Sequence, residues 1–287
     1  MRLFLALFLT LLLFLALAHA DQLQDGKTAF DHHQYLTALK LLQPLANQGN
    51  AEAEAKVGDI YADGSEGIGQ NLPKAEDWWR KAADQGNADG EAGLGYLYFA
   101  GYVVKKNEVE EEKWYRKAAL QGNSHGEVWV ARHCKNAQEA AGWWRKAAEQ
   151  NDPDAQFQLG KLYRDGKGVK QNAKEAATWF QKAADQESPW AQEALGNLYE
   201  KGQGVNKNLV QAYMWYAIIA TGGPMGPSLN LDGSTPQKNI ERIAIKMTPE
   251  QIAEGKRRAA EWNKNWAREF EKLRAAPLRP TTVPSSP

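Results

Sequence analysis

Apolar positions recur at helical spacing along most of the chain. Ala155, Leu159, Leu162 and Tyr163 fall at i, i+4, i+7 and i+8, which puts them on one face of a helix. Gly166 stands where such a helix would end, and Gly168 and Val169 carry a loop. Asn172 then serves as N-cap of a second helix with Ala176, Phe180 and Ala183 on its buried face. The spacing therefore predicts a helical hairpin over these residues.

The same hairpin returns along the chain. Trp78-Trp79-Arg80-Lys81-Ala82-Ala83 is repeated as Trp114-Tyr115-Arg116-Lys117-Ala118-Ala119, as Trp143-Trp144-Arg145-Lys146-Ala147-Ala148 and as Trp179-Phe180-Gln181-Lys182-Ala183-Ala184. Trp215-Tyr216 begins a fifth copy and then diverges into Ala217-Ile218-Ile219-Ala220. The leading Trp residues are separated by 36, 29, 36 and 36 positions, so the third unit is seven residues short. A second motif interleaves: Val57-Gly58-Asp59-Ile60-Tyr61, Leu94-Gly95-Tyr96-Leu97-Tyr98, Leu159-Gly160-Lys161-Leu162-Tyr163 and Leu195-Gly196-Asn197-Leu198-Tyr199. In the third unit it degrades to Val130-Ala131-Arg132-His133-Cys134, two core columns being filled by His133 and Cys134. Asn71, Asn107, Asn172 and Asn208 are placed to cap the second helices, and Asn50, Asn87, Asn123, Asp152 and Ser188 the first. The small column Gly58, Gly95, Ala131, Gly160, Gly196 predicts close approach of paired helices.

These motifs, with Gly166-Lys167-Gly168-Val169 and Gly202-Gln203-Gly204-Val205 in the loops, resemble the Sel-1-like repeat family, a relative of the tetratricopeptide repeat. Gly101-Tyr102-Val103-Val104 lacks the second loop glycine. The resemblance covers roughly residues 50 to 220. It implies an all-α fold, a right-handed α/α solenoid of stacked helical hairpins, and an adaptor or scaffold role, often in bacterial envelopes. It supplies no catalytic residues. Cysteine-rich relatives carry a disulfide in each repeat and have been linked to penicillin binding. This chain has only Cys134, so that linkage does not carry over.

The flanks extend the organisation. Arg2 and the apolar run Leu3 to Leu17, followed by Ala18-His19-Ala20 and polar Asp21, read as a signal peptide over 1–20, cleaved after Ala20. The expected location is therefore periplasmic or secreted, with no membrane span after cleavage. Residues 21–48 read as an N-terminal capping hairpin, with Tyr35, Ala38, Leu39 and Leu42 at helical spacing and Pro44 as a kink or restart. The five repeats occupy 49–221, the third shortened and the fifth divergent. Residues 222–237 form a Gly/Pro-rich loop and 238–273 capping helices, with Thr248 as N-cap and Pro249 behind it. The Pro/Ser/Thr-rich stretch 274–287 reads as a disordered tail.

Charge and chemistry narrow the function. The chain of 287 residues has 35 Lys and Arg against 35 Asp and Glu, so no basic footprint for nucleic acid exists. His32-His33 is too isolated for a metal site, and Glu110-Glu111-Glu112 reads as a solvated helix face. No cofactor, metal or catalytic set is expected, and the protein is read as a non-enzyme. Cys134 reads either as a free thiol or as one that pairs with another chain. The columns that vary between repeats carry the functional signal. Asp59, Tyr96, Arg132, Lys161 and Asn197 form one column. Lys56, Gly93, Trp129, Gln158 and Ala194 form a second. Glu52, Asp89, His125, Asp154 and Trp190 form a third. Their spacing puts all three on one face of the first helices, which a solenoid presents as a concave surface. Tyr96, Trp129, Arg132, Lys161 and Trp190 are the candidate partner-binding residues, since exposed aromatics and Arg are enriched at interfaces. The expected function is a non-enzymatic protein–protein interaction scaffold of the cell envelope, binding an envelope protein or peptide. The alternative is a glycan- or peptidoglycan-associated binder or hydrolase.

Overall fold

A computed structural model describes residues 19–65, 67–222 and 236–275. Residues 1–18 of the expected leader and 276–287 of the expected tail lie outside these residues, as does all of the Gly/Pro-rich loop but its two ends; His19 and Ala20 are helical, and so are Arg274 and Ala275. Among the described residues every regular element is a helix. The described residues form two compact units, one running to Gly126 and including the chain from Lys272 on, the other running from Glu127 to Glu271.

The first unit begins with α1, residues 19–31, and α2, Tyr35–Asn47. Helix α2 runs on through Pro44. Tyr35, Ala38 and Leu42 are buried, and Leu39 packs beside them, as their spacing predicts. Then come α3, Ala51–Asp63, with α4, Leu72–Asp84, and α5, Ala88–Ala100, with α6, Glu108–Leu120. Consecutive helices pack, and α3 also touches α5, so hairpin stacks on hairpin. Helix α7, Ser124–His133, begins the third repeat.

The second unit holds most of α7, then α8, Ala137–Glu149, α9, Pro153–Asp165, α10, Ala173–Asp185, α11, Pro189–Lys201, and α12, Leu209–Thr221. Helix α7 has 10 residues where the other repeat helices have 13, and only 134–136 join it to α8. This is where the seven missing residues fall.

Capping follows the sequence closely. The side chains of Asn50, Asn87, Asn123 and Asp152 accept from backbone N–H groups of the first helices. Asn71, Asn107, Asn172 and Asn208 do so for the second helices, and Asn136 joins them. Each such bond satisfies a donor that a helix start leaves unpaired. Ser188 is the exception, making no side-chain cap bond.

The glycine column has a steric cause. A Cβ on Gly160 would lie 2.6 Å from ring carbons of Phe180, and one on Gly58 would lie 2.6 Å from the Trp79 indole. The second aromatic of each Trp-aromatic pair thus packs flat against its own hairpin's first helix. Trp79, Trp144, Phe180 and Tyr216 are all buried there.

The divergence of the fifth repeat also has a physical reason. Helix α12 buries Tyr213 through Ile219 without a polar stripe. It is covered by α13, Pro236–Ala244, and α14, Pro249–Ala275. Trp262 meets Trp215 edge-on at 6.1 Å, and Tyr213 packs against Gly255. A helix enclosed on all sides is apolar all round. Thr248 caps α14 in a reciprocal box with Gln251.

Candidate functional site

Side chains of the three variable columns meet one another. In the first unit Lys56 Nζ lies 3.2 Å from Asp59 Oδ2 and 3.0 Å from Asp89 Oδ2, bridging repeats one and two. Trp79 Nε1 donates to Asp59 at 2.9 Å, and Asn123 donates to Asp89 at 2.7 Å. Glu52 pairs with Lys27 of α1. Burial pushes the Asp59 carboxyl up against the pull of Lys56. Burial also opposes the charge on Lys56, but Asp59 and Asp89 outweigh it and hold the ammonium above its usual range. For Asp89, burial is outweighed by Lys56 and the Asn123 amide, which hold it low. The charges on this face are therefore used to join repeats.

The second unit repeats the arrangement with different residues. Arg132 reaches Asp154 at 2.5 Å, Gln158 donates to the other Asp154 oxygen at 3.5 Å, and Lys161 donates to Gln158 at 3.2 Å. The i, i+4, i+7 reading of one shared face is thus realised in side-chain contacts.

The five candidate residues differ in how free they are. Tyr96, in the first unit, is 38% exposed and meets Trp79 edge-on at 6.5 Å. The other four lie in the second unit. Trp190 is 46% exposed in the first turn of α11. Arg132 is exposed despite its ion pair. Lys161 is half-buried, with Nζ 5.4 Å from the Phe157 ring centroid. Trp129 is half-buried and stacks on His133, centroids 4.0 Å apart.

Two expectations fail. His133 does not occupy a core column. It is exposed, because α7 ends there and its ring turns back onto Trp129, with Nδ1 2.8 Å from the Trp129 carbonyl. Cys134 is a free thiol, half-buried against the core of repeats three and four. The second failure is Glu111, which is buried, not solvated. It stands in the column of Ala75, Ala140, Ala176 and Ala212, all of which face the core. Glu110 and Glu112 do lie outside, paired with Lys113 and Arg116.

A buried polar column was missed. Glu54, Glu91 and Glu127 lie inside the first helices, and Gln156 and Gln192 hold the same position in repeats four and five. Gln85, Gln121 and Gln150, each just past the end of a second helix, donate to them at 2.7, 2.7 and 2.8 Å. Gln186 does the same to Gln156 at 2.9 Å. Burial raises the three glutamates, and Lys81, Lys117 and Lys146 pull the other way. These lysines also sit over the leading Trp rings, as Lys81 does on Trp78 at 4.0 Å. The recurring Gln after Ala-Ala-x was the available signal.

The Sel1 repeat family model matches residues 51–87, 88–123, 127–152, 153–188 and 191–224. The chain belongs to the Sel1 repeat family. Each matched segment covers all or most of one of the hairpins described above. A protective antigen present in uropathogenic Escherichia coli strains, displaying an SLR fold, is 32% identical with a TM-score of 0.69, over 87% of this chain and 54% of that one. The chain thus spans about half the length of that antigen. A Sel1 repeat protein from Oxalobacter formigenes is 29% identical with a TM-score of 0.60, over 85% of this chain and 96% of that one. No curated protein matches the sequence. Sel1 repeat proteins are generally protein-interaction scaffolds and typically non-catalytic. Among the described residues no helix is long and apolar enough to cross a membrane, and no cluster of metal-ligating side chains occurs.

Proposed function

We propose that this Sel1 repeat protein is a non-enzymatic interaction scaffold of the cell envelope, holding a protein or peptide partner on the variable face of its first helices. The carrying observation is Trp190. It is 46% exposed in a column otherwise filled by Glu52, Asp89, His125 and Asp154, and its exposure leaves an indole unused by the core. Arg132 is exposed in the same unit, and Tyr96 plays the corresponding part in the other. Aromatic and Arg side chains of this kind anchor interfaces. Lys161 and Trp129 border the anchors.

The test is site-specific photo-crosslinking in cells. A photoreactive residue at 132 or 190 is expected to capture a discrete protein, and one at Arg80 or Arg116, on second helices, is not. Equal capture from both pairs would refute the face assignment. Glycan recovered in place of protein would favour the sugar-stacking alternative. The envelope location rests on the leader. N-terminal sequencing of the soluble envelope fraction is expected to begin at Asp21, and an intact Met1 in carbonate-washed membranes would contradict it.

A further inference from the structure

We infer that the second repeat carries a separate docking edge, at the loop joining α5 to α6, for a short extended peptide rich in acidic and aromatic residues. This goes beyond the helix-face reading and uses none of its residues.

The repeats themselves serve as the internal control. Phe99 corresponds to Ala62, Arg164 and Glu200 in sister repeats, and it is 55% exposed. Tyr102 corresponds to Lys167 and Gln203, and it is 76% exposed. Val109, at the start of α6, is 75% exposed. At Phe99 and Tyr102, where sister repeats carry small or polar residues, this one presents aromatic surface. The fold does not require it.

The loop is also held in place. Val103 and Val104 pack inward against the first unit's core. Gly101, in the left-handed region at φ 70°, would place a Cβ 3.2 Å from Lys106 Cβ. The Lys106 ammonium lies 5.7 Å from the Phe99 ring centroid. Inner residues anchor the loop and outer ones face solvent, so binding carries little ordering cost.

Charge and area select the occupant. Lys105 and Lys106 are exposed, and neither is ion-paired among the described residues. The neighbouring carboxylates Glu110 and Glu112 are held by Lys113 and Arg116, which leaves Glu108 as the flanking charge. Two exposed cations, Lys106 beside the Phe99 ring and Lys105 next to it in sequence, suit a segment that alternates carboxylates with rings. Phe99, Tyr102 and Val109 together offer roughly 300–400 Å² of apolar surface, enough for a few peptide residues and well short of the ~800 Å² per partner of a stable dimer.

The test uses fluorescein-labelled peptides of alternating Asp and Phe, with a Lys/Phe counterpart, titrated against the purified protein by anisotropy. The Asp/Phe peptide is expected to bind at least about tenfold more tightly. Phe99→Ala with Tyr102→Gln introduces, without changing the charge, residues that repeats one and five already carry as Ala62 and Gln203, so folding is expected to survive. It should cost about tenfold in affinity. Lys105→Gln with Lys106→Gln should weaken binding and flatten its salt dependence. Trp190→Ala should leave it unchanged, which separates this edge from the helix-face reading. Equal binding of both peptides, or full affinity in the loop variants, would overturn the inference. So would loop-dependent capture by anionic phosphatidylserine vesicles without peptide binding, or self-association that the loop variants abolish.

Discussion

Gln121 donates from Nε2 to a carboxylate oxygen of Glu91 at 2.7 Å, tying the end of α6 to the interior of α5. Repeat four makes the same tie with Gln186 and Gln156, an amide replacing the acid. The charge is therefore dispensable at this position. Gln156 also donates to the Ala148 carbonyl at 3.3 Å, which an ionised Glu cannot do.

Glu91→Gln should accordingly stabilise the protein at neutral pH. Burial raises the Glu91 pKa despite Lys117, so the folded state holds the proton more tightly than the unfolded. With folded pKa above unfolded, the contribution is fully present below the unfolded value and is lost as pH rises through the folded one. The gain is expected to be about 0.5–1 kcal/mol at pH 7 and to shrink towards pH 4. Paired melting curves across that range check it. A variant less stable at pH 7 would show that Lys117 outweighs burial.

Gly160→Ala should destabilise by about 1–3 kcal/mol, since the new methyl meets the Phe180 ring at 2.6 Å in a filled core. Gly142, which has nothing near its Cβ position, is the control. Gly142→Ala should stabilise by up to about 1 kcal/mol, because glycine is costly within a helix. Denaturant unfolding of both variants is sufficient, and equal effects would contradict the packing described.

The third repeat should open first. Its first helix is shorter, its connection spans 134–136, and His133 lies outside the core. Repeat stability is a sum of unit and neighbour terms, so the poorest unit exchanges soonest. Amide exchange over 127–150 is expected to be faster than over 153–186. Slower exchange there would mean that the short connection stiffens the repeat.

Much of this was legible because the repeats can be read against one another. Asn50, Asn172 and Gly160 each recur in register, and each has a local cause, a cap bond or a ring contact. Glu54 and Glu91 were not legible. A glutamate in the first turns of a helix looks solvated until the second helix brings its Gln beneath it. Glu111 misled for the same reason, since only its alignment with Ala75 and Ala176 marks the position as internal. His133 misled in the opposite sense. Its column is core only where the helix continues past it, and α7 stops there. The exposure of Trp190 and Arg132 depends on packing that spacing alone cannot supply.

On the proposed reading, one set of residues holds the hairpins together and another meets the partner. Leu159 is fully buried, and Trp190 and Arg132 are exposed. The deciding measurement is a melting curve and a binding titration, against the protein captured by crosslinking, on Leu159→Ala, Trp190→Ala and Arg132→Ala. Leu159→Ala should lose about 2–5 kcal/mol of stability. Trp190→Ala and Arg132→Ala should stay within about 0.5 kcal/mol of the parent in stability, yet each should weaken the partner by more than about 1 kcal/mol. Full affinity in both surface variants, or unfolding of Trp190→Ala as severe as that of Leu159→Ala, would contradict it.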